Sequence, residues 1–400
     1  MNVDVAIVGG GVGGSTLAAV LAEAGLGVVV VEREPVFRDK VRGEGIHPWG
    51  YREAKRLGLD PPLATANAVE LPIWQTYTNR QANEPSHWAD DPENGLPEVT
   101  VFHPALQDAL LGHASTRGAT VIRPARVTAL GHGSTPEITV ASDQGDQTIR
   151  ARLVVGADGR TSGVRRWIGA RAEEDPIHHH FAGGLLGGTT LPEGKTHAAN
   201  FDGGRMFIFP QGNGQARAYV LGMAERLAAL RGAKNRTAFV DFCAGLLPDG
   251  WFEWATPAGP VAFFPNNDVW SSRLTADGVV LIGDAAGAND PSVGQGLSLV
   301  FRDVRELRDL LLAERDWTAA IEVFARRRAA YFSVLRAFAT WLGTLTIEVG
   351  PEADARRERV DLARKSDPAA GGFGLILARG PDGLVADEAA RRRFFGEDEP

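Results

Sequence analysis

The stretch that decides how this chain folds is Val3-Asp4-Val5-Ala6-Ile7-Val8-Gly9-Gly10-Gly11-Val12-Gly13-Gly14, followed by Leu17, Val20, Leu21 and Ala24 at helical spacing. An apolar run, a glycine cluster and an amphipathic period read as strand, tight turn and helix. Gly9 permits the turn, Gly11 lets the backbone approach a pyrophosphate, and Gly14 lets helix and strand pack closely, so that the helix N-terminus faces the phosphates. A second apolar strand, Val28 to Val31, ends at Glu32, eighteen residues beyond Gly14. A carboxylate at that place accepts hydrogen bonds from both hydroxyls of an adenosine ribose and so favours an unmodified ribose. Arg33 stands beside it as a second candidate contact.

Two later segments have the same grammar. Leu153-Val154-Val155-Gly156-Ala157-Asp158-Gly159 runs from a strand into a turn that carries a carboxylate. Val279-Val280-Leu281-Ile282-Gly283-Asp284-Ala285-Ala286 does so again, and Pro291 and Gly294-Gln295-Gly296-Leu297 then open a helix on which Val300, Val304, Leu307 and Leu311 share a face. Asp158 standing alone would read as a helix N-cap. Three such segments in one chain describe a nucleotide cofactor site.

Composition narrows the class. A hydrophobic content of 44% in 400 residues is ample for a large core. The single cysteine, Cys243, forbids an intrachain disulfide and is expected to be a buried structural thiol, as suits a cytoplasmic protein. No secretory leader and no membrane span is expected, since no run of about 18 apolar residues occurs. The formal charge of −8 argues against nucleic acid as a partner. The clusters Arg326-Arg327-Arg328 and Arg391-Arg392-Arg393 read as solvated helix faces.

The expected fold class is α/β, a Rossmann-like domain with an inserted antiparallel β-sheet and C-terminal helices. The nucleotide domain is assembled from residues 1–70, 98–176 and 266–313. Residues 71–97, polar and aromatic with Trp74, Tyr77 and Trp88, leave it and join 177–265 in the inserted domain. There Phe181–Leu186, Met206–Pro210 and Ala216–Leu221 read as short strands, the last two joined by a Gly212-Asn213-Gly214 hairpin turn. In the nucleotide domain, 105–116 reads as helix, and Val121–Leu130, Glu137–Ala141 and Thr148–Val155 as strands. Residues 314–400 form a helical region, with a long helix over 318–345 and a charged tail.

The three motifs, in this order, resemble those of the para-hydroxybenzoate hydroxylase-like, single-component FAD-dependent monooxygenases, and the resemblance spans about residues 2–313. It implies FAD, with NADPH or NADH as electron donor. Asp284 would hold the ribityl chain, Asp158 would lie near the pyrophosphate and the path of the nicotinamide, and Arg42 and Gln107 would contact the flavin. The helix beginning at Gly294 to Leu297 would aim its N-terminus at the negative charge of a reduced flavin. The chain departs from the family pattern at Gly287, where His is frequent, at Ser298, where Asn is common, and at His103-Pro104, where the helix usually begins with Arg.

Relatives on this framework hydroxylate, halogenate or reduce double bonds. Halogenases need a lysine some tens of residues beyond the Arg42–Trp49 loop, and none stands between Lys55 and Lys195. Their Trp-x-Trp-x-Ile-Pro segment is matched only by Trp251-Phe252-Glu253-Trp254, at the wrong spacing. The reductases carry a loop cysteine where this chain has Gly43-Glu44-Gly45. Hydroxylation or epoxidation of an electron-rich aromatic or polyketide-like molecule by molecular oxygen, through a flavin C4a-hydroperoxide, is therefore expected, with reduction or dehydrogenation as the alternative. Trp74, Phe207, Phe209 and Phe263 are expected to line the substrate site, and His47 to be the base. His178-His179-His180 is assigned no metal, because neighbours on a strand point to opposite faces. The protein is expected to work as a monomer or homodimer.

Overall fold

A computed structural model describes residues 1–231, 236–367, 370 and 373–397. Strand Asn2–Val8 lies between Gln147–Gly156 and Val28–Val31 and is parallel to both, with Val8 beside Gly156 and Val31. Thr120–Ile122 pairs beyond Val28–Val31, and Val279–Leu281 pairs with the end of Gln147–Gly156, again in parallel. Runs of Val and Ile suit this place, since both faces of the sheet are covered. On one face the helices Val12–Glu23, His103–Thr116 and Gly296–Ala313 bury Leu17, Leu21, Leu106, Leu110, Val304 and Leu307 against Val5 and Ile7. Each such leucine contributes about 1.5–3 kcal/mol by leaving water. The opposite face packs Ala6, Val154 and Leu281 on Val164 and Ile168.

The second large sheet has the strand order Thr256–Asn266, His179–Gly187, Gln215–Gly222, Gly204–Gly212, Lys195–Phe201, Ile73–Thr78. Asn213 and Gly214, at φ 53 and 70, make the two-residue turn between its central strands. The sheet is antiparallel except where Ile73–Thr78 runs parallel to Lys195–Phe201, which more than a hundred intervening residues make possible. Alternation gives it two apolar faces. Phe181, Phe207, Phe209 and Leu221 point one way; Ala182, Met206, Ile208 and Val220 point the other, under the helix Arg236–Ala244 with its buried Cys243.

Several elements differ from the sequence expectation. Val121–Leu130 is two strands, Thr120–Ile122 and Ala125–Gly131, because Pro124 offers no ladder donor. Strand Thr256–Asn266 was not legible: Pro257, Gly259 and Pro260 mask it, and they are tolerated because it is an edge strand. The charged tail forms helices Pro351–Ser366, Phe373–Arg379 and Glu388–Phe394. They bury Val360, Ile376, Leu377 and Phe394 against Phe338 and Trp341 of the long helix Trp317–Ile347. Among the described residues no helix is long and apolar enough to cross a membrane.

Candidate flavin and substrate site

The three motif segments meet at the C-terminal ends of neighbouring parallel strands. Gly9 has φ +104, and a Cβ there would lie 2.4 Å from the Ala157 carbonyl oxygen; one on Gly14 would lie 1.9 Å from the Gly9 oxygen. A Cβ on Gly13 would meet Val300 at 3.1 Å and Ile282 at 3.6 Å. Only hydrogen at these positions allows the three segments to touch. The helix Val12–Glu23 starts at Gly11 with no side-chain cap and no acidic residue in its first turn, which leaves its positive end and N–H groups for a ligand anion. Gln107 lies beside this turn, its amide nitrogen 3.8 Å from where a Gly11 Cβ would stand.

Glu32 is buried at the end of its strand, where Oε2 accepts from Gly10 N at 2.7 Å and Oε1 from Glu34 N at 2.7 Å. These bonds aim the carboxylate and leave lone pairs for hydroxyl donors. Arg33 turns to solvent beside Glu34. Asp158 supports a helix start whose N-cap is Ser162: Oδ2 accepts from Gly163 N at 2.6 Å and Val164 N at 3.2 Å, and Oδ1 from the Ser162 hydroxyl at 2.5 Å. Asp284 is different. It is half-buried and its carboxylate accepts no hydrogen bond among the described residues; burial raises its pKa, opposed by the fields of Arg42, Arg160 and Arg328.

The Asp284 turn is held from below by residues whose role had no sequence signal. Asp303 accepts from Gly283 N at 2.8 Å, from Arg328 Nε at 2.9 Å and from the Tyr331 hydroxyl at 2.5 Å. Arg328 also donates to the carbonyls of Gly283 and Gly287, at 3.2 and 3.0 Å. The reading of Arg326–Arg328 as a solvated face is thus corrected at Arg328, which is 1% exposed. The same packing explains Gly287, where a side chain would meet Val269 O at 3.0 Å and Phe332 at 3.2 Å. Ser298 is small because Gly50 of the neighbouring helix Pro48–Arg56 sits against it, and His103 donates from Nδ1 to Gly43 O at 2.6 Å, holding the Arg42 loop.

That loop faces the segment Pro291–Leu297, and His47 joins the two. Its Nε2–H donates to Val293 O at 3.0 Å and its Nδ1 lies 2.7 Å from Glu98 Oε1, with both side chains buried. Glu98 in turn accepts from the Thr196 hydroxyl. Gln295 Nε2 donates to the same Val293 carbonyl at 2.6 Å, and Trp49 Nε1 donates to Gln295 Oε1 at 2.7 Å. Gly294, at φ +62, lies so close that a Cβ would stand 2.5 Å from the His47 ring. Nε2 thus ties the Arg42 loop to the Pro291–Leu297 segment, while Nδ1 faces the Glu98 carboxylate. Pro291 begins the turn capped by Asp290, Gly296 starts the helix without a side-chain cap, and Leu297 reaches the Gly43 position at 3.7 Å. Replacing His47 with Ala is therefore expected to weaken FAD binding and slow turnover together. Unchanged FAD affinity with loss of one limb of the pH–rate profile would make it the base instead.

Trp74, Phe207 and Phe209 lie on the sheet face that covers this loop, with ring centroids 5.8 Å apart for the first pair and 6.5 Å for the second. Phe209 comes within 3.4 Å of a Cβ position on Gly45. Phe263 is a correction: it points to the opposite face and stacks on His180 at 5.2 Å, while its neighbour Phe264 stacks on Phe181 at 5.7 Å, on the face that carries Phe207 and Phe209. The strand begins only at His179, so alternation does not separate His178 from it, and their Nδ1 atoms lie 2.5 Å apart. With Asp290 they bring three donor atoms within 4.8 Å of one another. His179 Nε2 faces Ser292 Oγ and Asn266 Nδ2, each at 2.6 Å, and Asn266 Nδ2 and the Ser292 hydroxyl both donate to Asp290, so the group buttresses the Pro291 turn.

An uncapped helix after Gly11, an aimed Glu32 and an Asp284 without a partner among the described residues, gathered at the C-terminal ends of the parallel strands, are a site for a dinucleotide with a polyhydroxyl linker, and the donors and acceptors present fit FAD. The family model described as FAD binding domain matches residues 2–323. The chain belongs to this family, that of the para-hydroxybenzoate hydroxylase-like flavoproteins. It is 29% identical over 359 residues to the ubiquinone hydroxylase UbiL of Rhodospirillum rubrum, covering 78% of this chain and 72% of that protein. To the mitochondrial squalene epoxidase 2 of Arabidopsis thaliana it is 23% identical over 349 residues, 86% of this chain. The chain spans only 59% of the length of that epoxidase. The crystal structure of p-nitrophenol 4-monooxygenase PnpA from Pseudomonas putida DLL-E4 has the same fold, with a TM-score of 0.78 at 19% identity over 98% of this chain and 97% of that one.

Proposed function

We propose that this protein is an FAD-dependent, NAD(P)H-driven monooxygenase of the cytoplasm that hydroxylates or epoxidises an electron-rich aromatic or polyketide-like small molecule. The observation that carries the reading is the aromatic sheet face that bears Trp74, Phe207, Phe209 and Phe264, on which Phe209 stands against Gly45 of the loop that joins Arg42 to His47. FAD, when bound, would supply the hydride acceptor and the oxygen-activating ring. Glu32 and the Gly9–Gly14 turn would hold its adenosine and pyrophosphate, Gln107 and Arg42 would lie along the flavin, and Asp284 would accept from the ribityl hydroxyls. Asp158, bonded to the start of the helix Gly163–Trp167, would shape the turn beneath the pyrophosphate through Gly9. Pro291 to Leu297, clamped by His47, would present the Gly296 helix end to negative charge on the reduced ring. The apolar sheet face would exclude water and stray acids from the oxygen-transfer step. The names of the squalene and ubiquinone relatives support oxygen insertion, and the missing lysine and loop cysteine support it over halogenation and double-bond reduction.

With a substrate in hand, turnover under isotopically labelled oxygen gas is expected to add one labelled atom to the product, and halide to change nothing. An unlabelled product formed equally well without oxygen would replace this reading by a reductase or dehydrogenase.

A further inference from the structure

We propose that Arg217 and Tyr219 form a polar anchor in the substrate chamber that selects a neutral oxygen, that of a ketone, quinone or un-ionised phenol, and rejects a carboxylate. Only the word substrate rests on the monooxygenase reading; the binding site itself does not.

The two residues alternate on strand Gln215–Gly222 and so share the face that carries the aromatic side chains. Arg217 lies opposite Phe209 and Tyr219 opposite Phe207 across the strand pair. The Tyr219 ring is 6.1 Å from that of Phe181 and 6.4 Å from that of Phe209. It lies over Gly183, where a Cβ would meet both the Tyr219 ring and Val41 at 2.7 Å, and this puts it beneath the Arg42 loop.

Arg217 is fully buried, and most of its donors are taken. Nη2 donates to Asp39 Oδ2 and Glu44 Oε1, each at 2.8 Å, and Nε donates to Glu44. Nη1 is buried with no hydrogen-bond partner among the described residues, and so is the Tyr219 hydroxyl. Buried donors are almost always paired, and two left unpaired on one aromatic face point to an acceptor that arrives with a ligand. Charge decides which acceptor. Arg217 already serves two carboxylates and the nearby Arg42 only balances them, so the cluster has no net positive charge to repay the desolvation of a third. Burial raises the Glu44 pKa to about 7 against the pull of Arg217 beside it. An uncharged oxygen with two lone pairs, on a flat ring that the phenylalanines can sandwich, satisfies both donors without adding charge.

The test is calorimetric titration of the FAD-loaded protein, with no reductant, by acetophenone and by benzoate, which differ in one neutral and one anionic group. The ketone is expected to bind at least about tenfold more tightly. Tyr219→Phe removes only an unpaired hydroxyl and should fold and hold FAD as the wild type does, yet weaken the ketone by about tenfold. Glu44→Gln should raise affinity for the benzoate. Equal affinities for the two probes, binding of neither, or an unchanged ketone affinity in Tyr219→Phe would overturn the proposal. A Tyr219→Phe variant that loses FAD and keeps the ketone would give these donors to the flavin instead. Failure of the monooxygenase reading would appear in the oxygen-labelling result and leave this binding pattern intact.

Discussion

Gly14→Ala is expected to yield protein without FAD and with a markedly lower melting temperature. Gly14 has an ordinary backbone conformation, so the effect comes from contact alone: its Cβ would sit 1.9 Å from the Gly9 carbonyl oxygen and 3.1 Å from Ile7. A backbone oxygen in the turn cannot rotate away as a side chain can. Strand and helix must separate, at about 1–3 kcal/mol or more for overpacking, and the turn that faces the pyrophosphate is displaced with them. Gly112→Ala is the control. It lies on an exposed helix surface with no atom within 4 Å of the new Cβ, and there alanine should stabilise by about 1 kcal/mol or leave the melting temperature unchanged. Thermal unfolding and FAD content of the two variants decide the matter; normal FAD content in Gly14→Ala would show that the turn is not tightly packed.

Asp284→Ala is expected to lower FAD affinity by about tenfold to a hundredfold, the cost of roughly 1–3 kcal/mol for unpaired polar groups at a buried site. The wild-type carboxylate has no partner among the described residues, so a ligand hydroxyl is its natural one. Glu32→Ala should be milder in affinity, because solvent can reach the ribose end more easily. Burial raises the Asp284 pKa, so its proton is taken up at a higher pH than for an ordinary aspartate. FAD prefers the ionised form as acceptor; the affinity of the wild type should therefore fall as pH is lowered through that raised pKa, and the Asp284→Ala variant should lack this dependence. Fluorescence titration of FAD against each protein at several pH values measures both effects. Sub-micromolar full occupancy of the alanine variant would withdraw Asp284 from the ribityl site.

The sequence by itself determined the nucleotide half of the molecule. Strand–glycine–helix grammar is local: Val3–Val8 with Gly9, Gly11 and Gly14, and Val28–Val31 with Glu32, state their structure through period and backbone freedom within about thirty residues. The same holds for the Asn213-Gly214 hairpin. Family resemblance then joined the Asp158 and Asp284 segments into one site, which the parallel register of their strands brings together.

Only the tertiary structure decided what lies across from what. Asp303 and Arg328 meet beneath the Asp284 turn although they are twenty-five residues apart on two helices, and a buried ion pair has no local period to announce it. Whether Phe263 or Phe264 faces the loop depends on strand register, which flips every side chain on a shift of one residue, and the prolines of that edge strand hide the register from a reading of the sequence. His47 reads as a base in isolation because a histidine in a glycine-rich loop is chemically capable of it. Glu98 and the Val293 carbonyl, supplied by other parts of the chain, are what its two nitrogens face, and the bond to Val293 gives it a structural part that the loop alone does not announce. Contacts between segments distant in the chain are set by packing and charge pairing in three dimensions, and neither leaves a signature in the order of residues along one segment.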